Sequence, residues 1–189
     1  MAKALADVYP DVINEPITCA EIGSFEGRGS RLIHDHLCQH PDSRLYCIDP
    51  WDDVYVKQGE DSKFKVIDHI FQGQYQRFIA NTAEFPKIIP MQGYSTYKIP
   101  QLPMPIDFAF IDGDHSPDQV YMDGCLMMSK MRTGGIIVFD DYRWCRNNQK
   151  CGEGIDRFMK DYAPWLEILH KSDYVIVKVK NPDVPTPEP

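Results

Sequence analysis

Short runs of β-forming residues alternate with helical segments along most of the chain, and this alternation restricts the fold more than any other feature. Strand patterns occur at residues 17–22, 45–48, 87–91, 106–111 and 136–139, and helical spacing occurs at 31–37, 61–81, 119–131 and 155–162. Two further strand patterns, at 165–170 and 174–179, flank a polar turn and predict a closing hairpin. The alternation predicts an α/β fold with a seven-stranded, mostly parallel sheet, helices on both faces and a C-terminal antiparallel hairpin.

The composition is that of an acidic globular protein. The chain has 189 residues, 43% of them hydrophobic, and a formal net charge of −8. We expect a single domain over residues 1–180 and a Pro-rich tail at 181–189. The negative charge argues against a nucleic-acid partner, and no apolar run is long enough to cross a membrane. The first residues lack a signal-peptide pattern, which predicts a cytoplasmic protein. No feature decides the oligomeric state, and a homodimer is one expectation.

A glycine-rich loop follows the first predicted strand. Its glycines are spaced G-x-x-x-G-x-G within residues 21–30, unlike the G-x-G-x-x-G spacing of dinucleotide-binding enzymes. Gly23 and Gly27 let the backbone approach a ligand closely, and Glu21 brings a negative charge that can organise the loop or contact a ligand's ammonium group. Together with Ser24, these residues are the candidate cofactor-binding residues of the loop. The alternative interpretation is a glycine-rich turn that binds nothing.

The next two predicted strands also end in residues suited to a nucleotide-like cofactor. Asp49 ends the second strand, where an acidic residue is placed to accept hydrogen bonds from ribose hydroxyls. Trp51 follows it and is a candidate cover for adenine. Ser95 closes the segment 92–95 after the third strand, which offers polar atoms to an adenine edge. Ligands of open α/β sheets bind beyond the carboxyl ends of the strands, so we expect these residues to meet at one crevice.

The combined motifs resemble the class I S-adenosylmethionine-dependent methyltransferase family. They are the loop, residues 48–51, residues 110–115 and the segment 134–142, and they are most similar to small bacterial and viral members with an "IDGDH … GGxIxxDDY" signature. The resemblance implies the Rossmann-like methyltransferase fold and S-adenosylmethionine as cofactor. One departure is Gly29, where relatives commonly have Ser or Thr; here the hydroxyl comes one residue later, at Ser30.

Four carboxylates follow the fourth and fifth predicted strands, which we expect to be neighbours. They are Asp112, Asp114, Asp140 and Asp141. Such a cluster needs a cation, a proton or a positively charged ligand, and hard oxygen donors favour Mg²⁺ or Mn²⁺ over zinc. The resemblance to metal-dependent catechol and phenylpropanoid O-methyltransferases implies metal ligands at Asp112, Asp140 and Asp141, with Asp112 also beside the cofactor.

His115 stands where the similar catechol enzymes have a catalytic Lys. The resemblance therefore implies that His115 is a general base and that His115 and Asp112 are the two catalytic residues. Other interpretations remain open at this point. Asp112 can contact the cofactor alone, Asp140 and Asp141 can cap the following segment, and His115 can pack over adenine.

The sequence therefore predicts a methyltransferase that uses S-adenosylmethionine, with divalent-metal-assisted transfer to a hydroxyl of a small acceptor such as a sugar or a phenol. Metal-free methyl transfer and a non-catalytic S-adenosylmethionine-binding module are the alternatives. A nucleotide-dependent oxidoreductase is disfavoured by the glycine spacing.

Overall fold

The structure is a computed structural model that describes residues 15–51, 72–146 and 149–180. The predicted Pro-rich tail and the residues of the predicted 61–81 helix up to position 71 lie outside these ranges. The single domain predicted over residues 1–180 stays a prediction.

Nine strands and five helices are found among the described residues. The strands are β1 (Thr18–Ile22), β2 (Arg44–Asp49), β3 (Ile88–Gln92), β4 (Ile106–Ile111), β5 (Met131–Phe139), β6 (Cys145–Arg146), β7 (Gln149–Lys150), β8 (Leu166–Lys171) and β9 (Val175–Val179). The helices are α1 (Arg28–Leu37), α2 (Gln74–Thr82), α3 (Ser95–Lys98), α4 (Pro117–Met128) and α5 (Cys151–Asp161). Short 3₁₀ turns follow α3 and α5.

The main sheet has seven strands in the order β3-β2-β1-β4-β5-β9-β8. The first five strands in this order pair in parallel, while β9 pairs antiparallel with both β5 and β8. The predicted fold class, including the closing hairpin, is confirmed. The connection from β3 to β4 crosses from one half of the sheet to the other, so that β1 and β4 are neighbours. Ligands of such sheets bind at this switch point between β1 and β4.

Hydrophobic clusters cover both faces of the sheet. In β4, Ala109 and Ile111 belong to the cluster that includes residues of α4 and α5, whereas Phe108 and Phe110 belong to the cluster that includes residues of α1 and α2. This alternation follows from the period of two in a β-strand, whose successive side chains point to opposite faces. A strand segment buried on both faces must be apolar, which is why β4 is apolar over residues 108–111; Asp107 near its start is only partly buried and pairs with Arg132.

Two predicted boundaries near β5 are wrong. Helix α4 ends at Met128 instead of residue 131, and β5 begins at Met131, so Gly134 and Gly135 lie inside the strand instead of before it. The pairing of β4 with β5 shifts register between its Ile106–Met131 and Phe108–Ile136 pairs. Gly134 has a φ of 79°, a conformation that favours glycine, and it accommodates this irregularity. The periodicity of the sequence does not reveal a bulge.

Helix α3 and the β6–β7 hairpin were not predicted from the sequence. The helix has four residues, and each strand of the hairpin has two. Elements this short carry no measurable hydrophobic period. Among the residues that the structure describes, no helix has the length and apolar character needed to cross a membrane.

Helices α4 and α5 pack closely where two glycines remove side chains. A Cβ at Gly154 of α5 would overlap the Pro117 carbonyl oxygen and lie 2.9 Å from its carbonyl carbon. A Cβ at Gly124 of α4 would lie 2.9 Å from the Phe158 ring. Both obstacles are backbone or fully buried ring atoms, which have little room to move.

We therefore predict that Gly154→Ala lowers the free energy of unfolding, although alanine favours a helix by about 1 kcal/mol over glycine. The overlap with the Pro117 backbone costs about 1–3 kcal/mol and outweighs this gain. Denaturant unfolding measures the change, and Glu153→Ala, an exposed neighbour in the same helix, is the control. Equal or higher stability of Gly154→Ala would contradict the close packing.

Candidate active site

The loop between β1 and α1 is wedged into the switch point of the sheet. The Gly23 amide donates a hydrogen bond to the Ile48 carbonyl (2.9 Å), and the Asp112 amide donates to the Ile22 carbonyl (2.9 Å). Gly23 has a φ of 86°, and a Cβ there would overlap the Asp112 carbonyl and lie 2.7 Å from the Gly113 Cα. Position 23 therefore requires glycine on both conformational and steric grounds.

Glu21 lies beneath this loop with only 1% of its surface exposed. Its carboxyl accepts a hydrogen bond from the Ser30 hydroxyl, and burial raises its pKa, an effect that the Ser30 hydrogen bond partly offsets. A Cβ at Gly29 would lie 2.5 Å from Glu21 Oε1. Glu21 therefore organises the loop by filling the space that a side chain at position 29 would need.

Asp49 and Trp51 hold the loop from the second strand. The two Asp49 carboxylate oxygens accept hydrogen bonds from the amides of Phe25 (2.9 Å) and Trp51 (2.8 Å). The Trp51 indole donates to the Phe25 carbonyl (2.6 Å) and packs against Phe78, at 4.5 Å between ring centroids. Trp51 is 5% exposed, so its ring supports the loop in this structure. Contacts of Asp49 with ribose and of Trp51 with adenine stay predictions.

A cavity of about 450 Å³ opens beside the loop at the carboxyl ends of β1 and β4. It is lined by Glu21, Gly23, Ser24, Phe25, Arg28, Gly29, Leu32, Phe110 and Asp112. Of the predicted cofactor residues, Glu21, Gly23, Ser24 and Asp112 line this cavity. Gly27 lies directly before α1, as its N-cap residue, with a φ of 85°. A Cβ there would lie too close to Thr82 and Phe78.

Ser95 is joined to a buried carboxylate that the sequence analysis did not predict. The Ser95 hydroxyl donates to Asp123 Oδ1 (2.6 Å), and the Gln119 amide donates to the same oxygen (2.8 Å). Asp123 is 1% exposed, and burial raises its pKa to about 6. The Ser95 hydroxyl thus donates its proton to another residue of the protein, and this hydrogen bond holds the segment after β3 against α4.

A signal for Asp123 was present in the sequence. It lies three residues after Val120 and four before Met127, both buried, so helical periodicity places it on the inward face of α4. A carboxylate on an inward face is uncommon unless it has hydrogen-bonding partners, and this one has two.

The ends of β4 and β5 bring two of the four predicted acids together with His115. His115 Nε2 lies 2.6 Å from Asp141 Oδ2 and 3.8 Å from Asp112 Oδ1. One donor atom from each of these three residues lies within 4.8 Å of the others, a spacing that a metal ion can bridge. Burial, and then the charges of Asp140 and Asp141, raise the pKa of Asp112 to about 8.

Asp140 and Asp114 bond to the backbone beside this group. Asp140 accepts a hydrogen bond from the Asp141 amide (2.9 Å), and Asp114 accepts one from the Ser116 amide (2.7 Å). Asp141 has a φ of 55°, an unusual conformation for a residue other than glycine, which turns its side chain toward His115. Ligation of a metal by Asp140, predicted from the sequence, stays a prediction.

The Trp144 ring packs against the same group, with its centroid 4.7 Å from that of His115 and the two rings tilted by 40°. Its position is set by the turn after β5, in which the Trp144 amide donates to the Asp141 carbonyl (2.8 Å). An aromatic ring, an imidazole and two carboxylates therefore lie together, and one of the carboxylates, Asp112, also lines the cavity.

Residues 20–142 match a family described as a methyltransferase domain. The chain belongs to this family. The match spans the loop after β1, the Asp112–His115 segment and the Asp140–Tyr142 segment. These segments build the cavity and, beside it, the group of Asp112, His115, Asp140 and Asp141, here called the acidic edge.

A viral protein is similar to this methyltransferase-domain chain in sequence. It is uncharacterized protein R132 of Acanthamoeba polyphaga mimivirus, 28% identical over 156 residues, which cover 80% of this chain and 65% of the viral protein. The chain thus spans about two thirds of the length of this relative.

Solved methyltransferase structures, among them the O-methyltransferases NovP and TomG, have the same fold. NovP superposes with a TM-score of 0.72 at 18% identity, and TomG from Streptomyces achromogenes, in complex with S-adenosylmethionine, with 0.65 at 18% identity; each match covers 95% of this chain and 79% of the other. MycE, of the mycinamycin biosynthetic pathway, in complex with Mg and S-adenosylhomocysteine, superposes with 0.62 at 16% identity over 97% of this chain and 51% of its own.

The cavity of this methyltransferase domain suits S-adenosylmethionine. Ser24 lines this cavity, and its hydroxyl is buried without a hydrogen-bond partner among the described residues. The carboxyl groups of Glu21 and Asp112 also line the cavity, and their ionised forms complement a sulfonium and an ammonium group. The acidic edge consists of oxygen and imidazole donors, which suit Mg²⁺ or Mn²⁺.

The raised pKa of Asp112 predicts a pH-dependent stability in the absence of divalent cations. Between the usual pKa of 3.8 and about 8, the native state holds a proton that the unfolded state has lost, so stability falls as the pH rises through this window. Asp112→Asn should therefore have a higher unfolding midpoint than wild type at pH 8, and the difference should shrink toward pH 5.

Thermal unfolding in EDTA at several pH values measures this effect. Asp118→Asn is the control, because the Asp118 side chain is 98% exposed. A difference between Asp112→Asn and wild type that does not change with pH would contradict the assignment.

Proposed function

We propose that the protein is an S-adenosylmethionine-dependent O-methyltransferase that acts on a hydroxyl of a small acceptor such as a sugar or a phenol. One observation carries the proposal: Asp112 lines the cavity and also belongs to the group with His115 and Asp141. A methyl donor in the cavity and an acceptor at the acidic edge would therefore meet at this residue. Holding two reactants in contact supplies much of the rate of a group transfer.

His115 is the residue best placed to take the acceptor's proton. The Asp141 carboxylate lies 2.6 Å from Nε2, so it can hold a proton on Nε2 while the other ring nitrogen, Nδ1, accepts the proton of the acceptor hydroxyl. The Trp144 ring on the other side restricts the imidazole's orientation and gives a flat apolar surface to a sugar or aromatic acceptor.

The residues fit a divalent cation at this edge, held by Asp112 and Asp141 with either His115 or Asp140 as a third ligand. Such a cation lowers the pKa of a bound hydroxyl. Metal-free transfer is the second candidate, because the His115–Asp141 pair is a base with its own orienting carboxylate. The two candidates differ in whether His115 Nε2 would bind a metal or stay hydrogen-bonded to Asp141.

The first prediction of this proposal concerns ligand binding. S-adenosylmethionine should raise the unfolding midpoint of the full chain, since a ligand that binds only the native state stabilises it, by about 2.7 kcal/mol at 100 times its Kd. Mg²⁺ or Mn²⁺ should add to the shift if the metal-assisted mechanism is right, and should add nothing if transfer is metal-free. NAD is the control; a shift with NAD and none with S-adenosylmethionine would refute the proposed cofactor.

The second prediction concerns catalysis. His115→Ala should lower kcat by about 10²–10⁴-fold while leaving the Kd for S-adenosylmethionine nearly unchanged, because His115 does not line the cavity. The assay follows transfer of a labelled methyl group to a panel of polyols and phenols. Asp118→Ala is the matched control, an exposed carboxylate three residues away.

Full activity of His115→Ala would exclude His115 as the base. Binding of S-adenosylmethionine with no transfer to any acceptor in the panel would favour a non-catalytic binding module instead.

A further inference from the structure

The β1–α1 loop has no hydroxyl left for an anionic ligand at positions 29 and 30. Glu21 Oε1 fills the space beside Gly29, so that a serine or threonine Cβ would lie 2.5 Å from it. The Ser30 hydroxyl is fully buried and donates its proton to Glu21. The Ser24 hydroxyl has almost no accessible surface beneath the loop. A negatively charged group entering the cavity must therefore be bound by something else.

Arg28 is the one cationic side chain among the described residues that line the cavity, and the same lining contains two acids, Glu21 and Asp112. It is exposed, and no hydrogen bond or ion pair of its guanidinium is found within residues 15–51, 72–146 and 149–180. Nearby acids already have partners: Glu26 pairs with Arg77 at 2.7 Å, and Asp35 pairs with His34 at 3.0 Å.

The backbone at Arg28 adds to this positive charge. Arg28 is the first residue of α1, no side chain caps this helix, and its first turn contains no acidic residue. The uncapped amides and the helix dipole therefore favour an anion at the same end of the cavity as the guanidinium.

S-adenosylmethionine has a charge distribution that matches this lining. Its sulfonium and α-ammonium groups are cationic, and its single anionic group is the α-carboxylate. We propose that Arg28 binds this carboxylate, while Glu21 and Asp112 face the cationic groups. Arg28 thereby determines the orientation and specificity of binding for the amino-acid end of the cofactor. This inference rests on the proposed function.

The test compares S-adenosylmethionine with decarboxylated S-adenosylmethionine, which lacks only the carboxylate, by calorimetric titration of the full-length chain. Arg28→Ala should weaken binding of S-adenosylmethionine by about 10- to 100-fold, the range for a charge-assisted hydrogen bond. The same substitution should leave binding of the decarboxylated compound unchanged or slightly stronger, because a like charge has been removed. Arg28→Lys should restore part of the affinity for S-adenosylmethionine.

Arg31→Ala is the matched control. Arg31 lies one turn further along α1 with its guanidinium over the Phe85 ring, and it does not line the cavity, so its removal should affect neither ligand. Equal unfolding midpoints of the three unliganded variants and wild type would show that the exposed substitutions leave the fold intact.

Three results would overturn the inference: no loss of S-adenosylmethionine affinity in Arg28→Ala, an equal loss for both ligands, or the same loss in Arg31→Ala. Failure of the proposed cofactor looks different, because the wild-type protein would then bind neither compound, and failure of catalysis alone would leave both affinities unchanged.

Discussion

The close approach of Gly23 to the backbone after β4 is the constraint on which the rest of the site depends. The Gly23 amide bonds to the end of β2, and the absent side chain leaves room for Asp112 and Gly113. Three strand ends therefore meet within one layer of backbone. A side chain at position 23 would push these strand ends apart and so displace Gly23 and Asp112, which line the cavity. The position of the β1–α1 loop and the position of Asp112 thus depend on the same backbone contact.

Burial of Glu21 has consequences for its neighbours in the same loop. A carboxyl removed from water needs hydrogen-bond donors, and the Ser30 hydroxyl supplies one. The space that the carboxyl occupies then excludes a side chain at position 29. The unusual glycine and the serine after it are therefore not independent features of the sequence, since both follow from a buried acid at position 21.

The acidic edge has the opposite character, because it gathers more negative charge than its hydrogen bonds satisfy. Asp112 lies near Asp140 and Asp141, and burial with these like charges favours its protonated form. The unusual backbone conformation of Asp141 turns a carboxylate toward His115 at a cost in conformational energy. Charge and strain held together at one strand end are typical of a functional site, where a ligand compensates both.

The sequence by itself determined the sheet, its closing hairpin and the strand ends that carry the chemistry, because period-two burial and glycine-rich turns are local properties of the chain. It did not determine the bulge at Gly134 or the hydrogen bond between Ser95 and Asp123, which depend on contacts between residues far apart in the sequence. Only the tertiary structure decided that Trp51 supports the loop from the core, that His115 pairs with Asp141, and that Glu21 fills the space at position 29. Motifs specify which residue types reach the crevice, whereas packing in three dimensions decides which of their atoms remain free to bind.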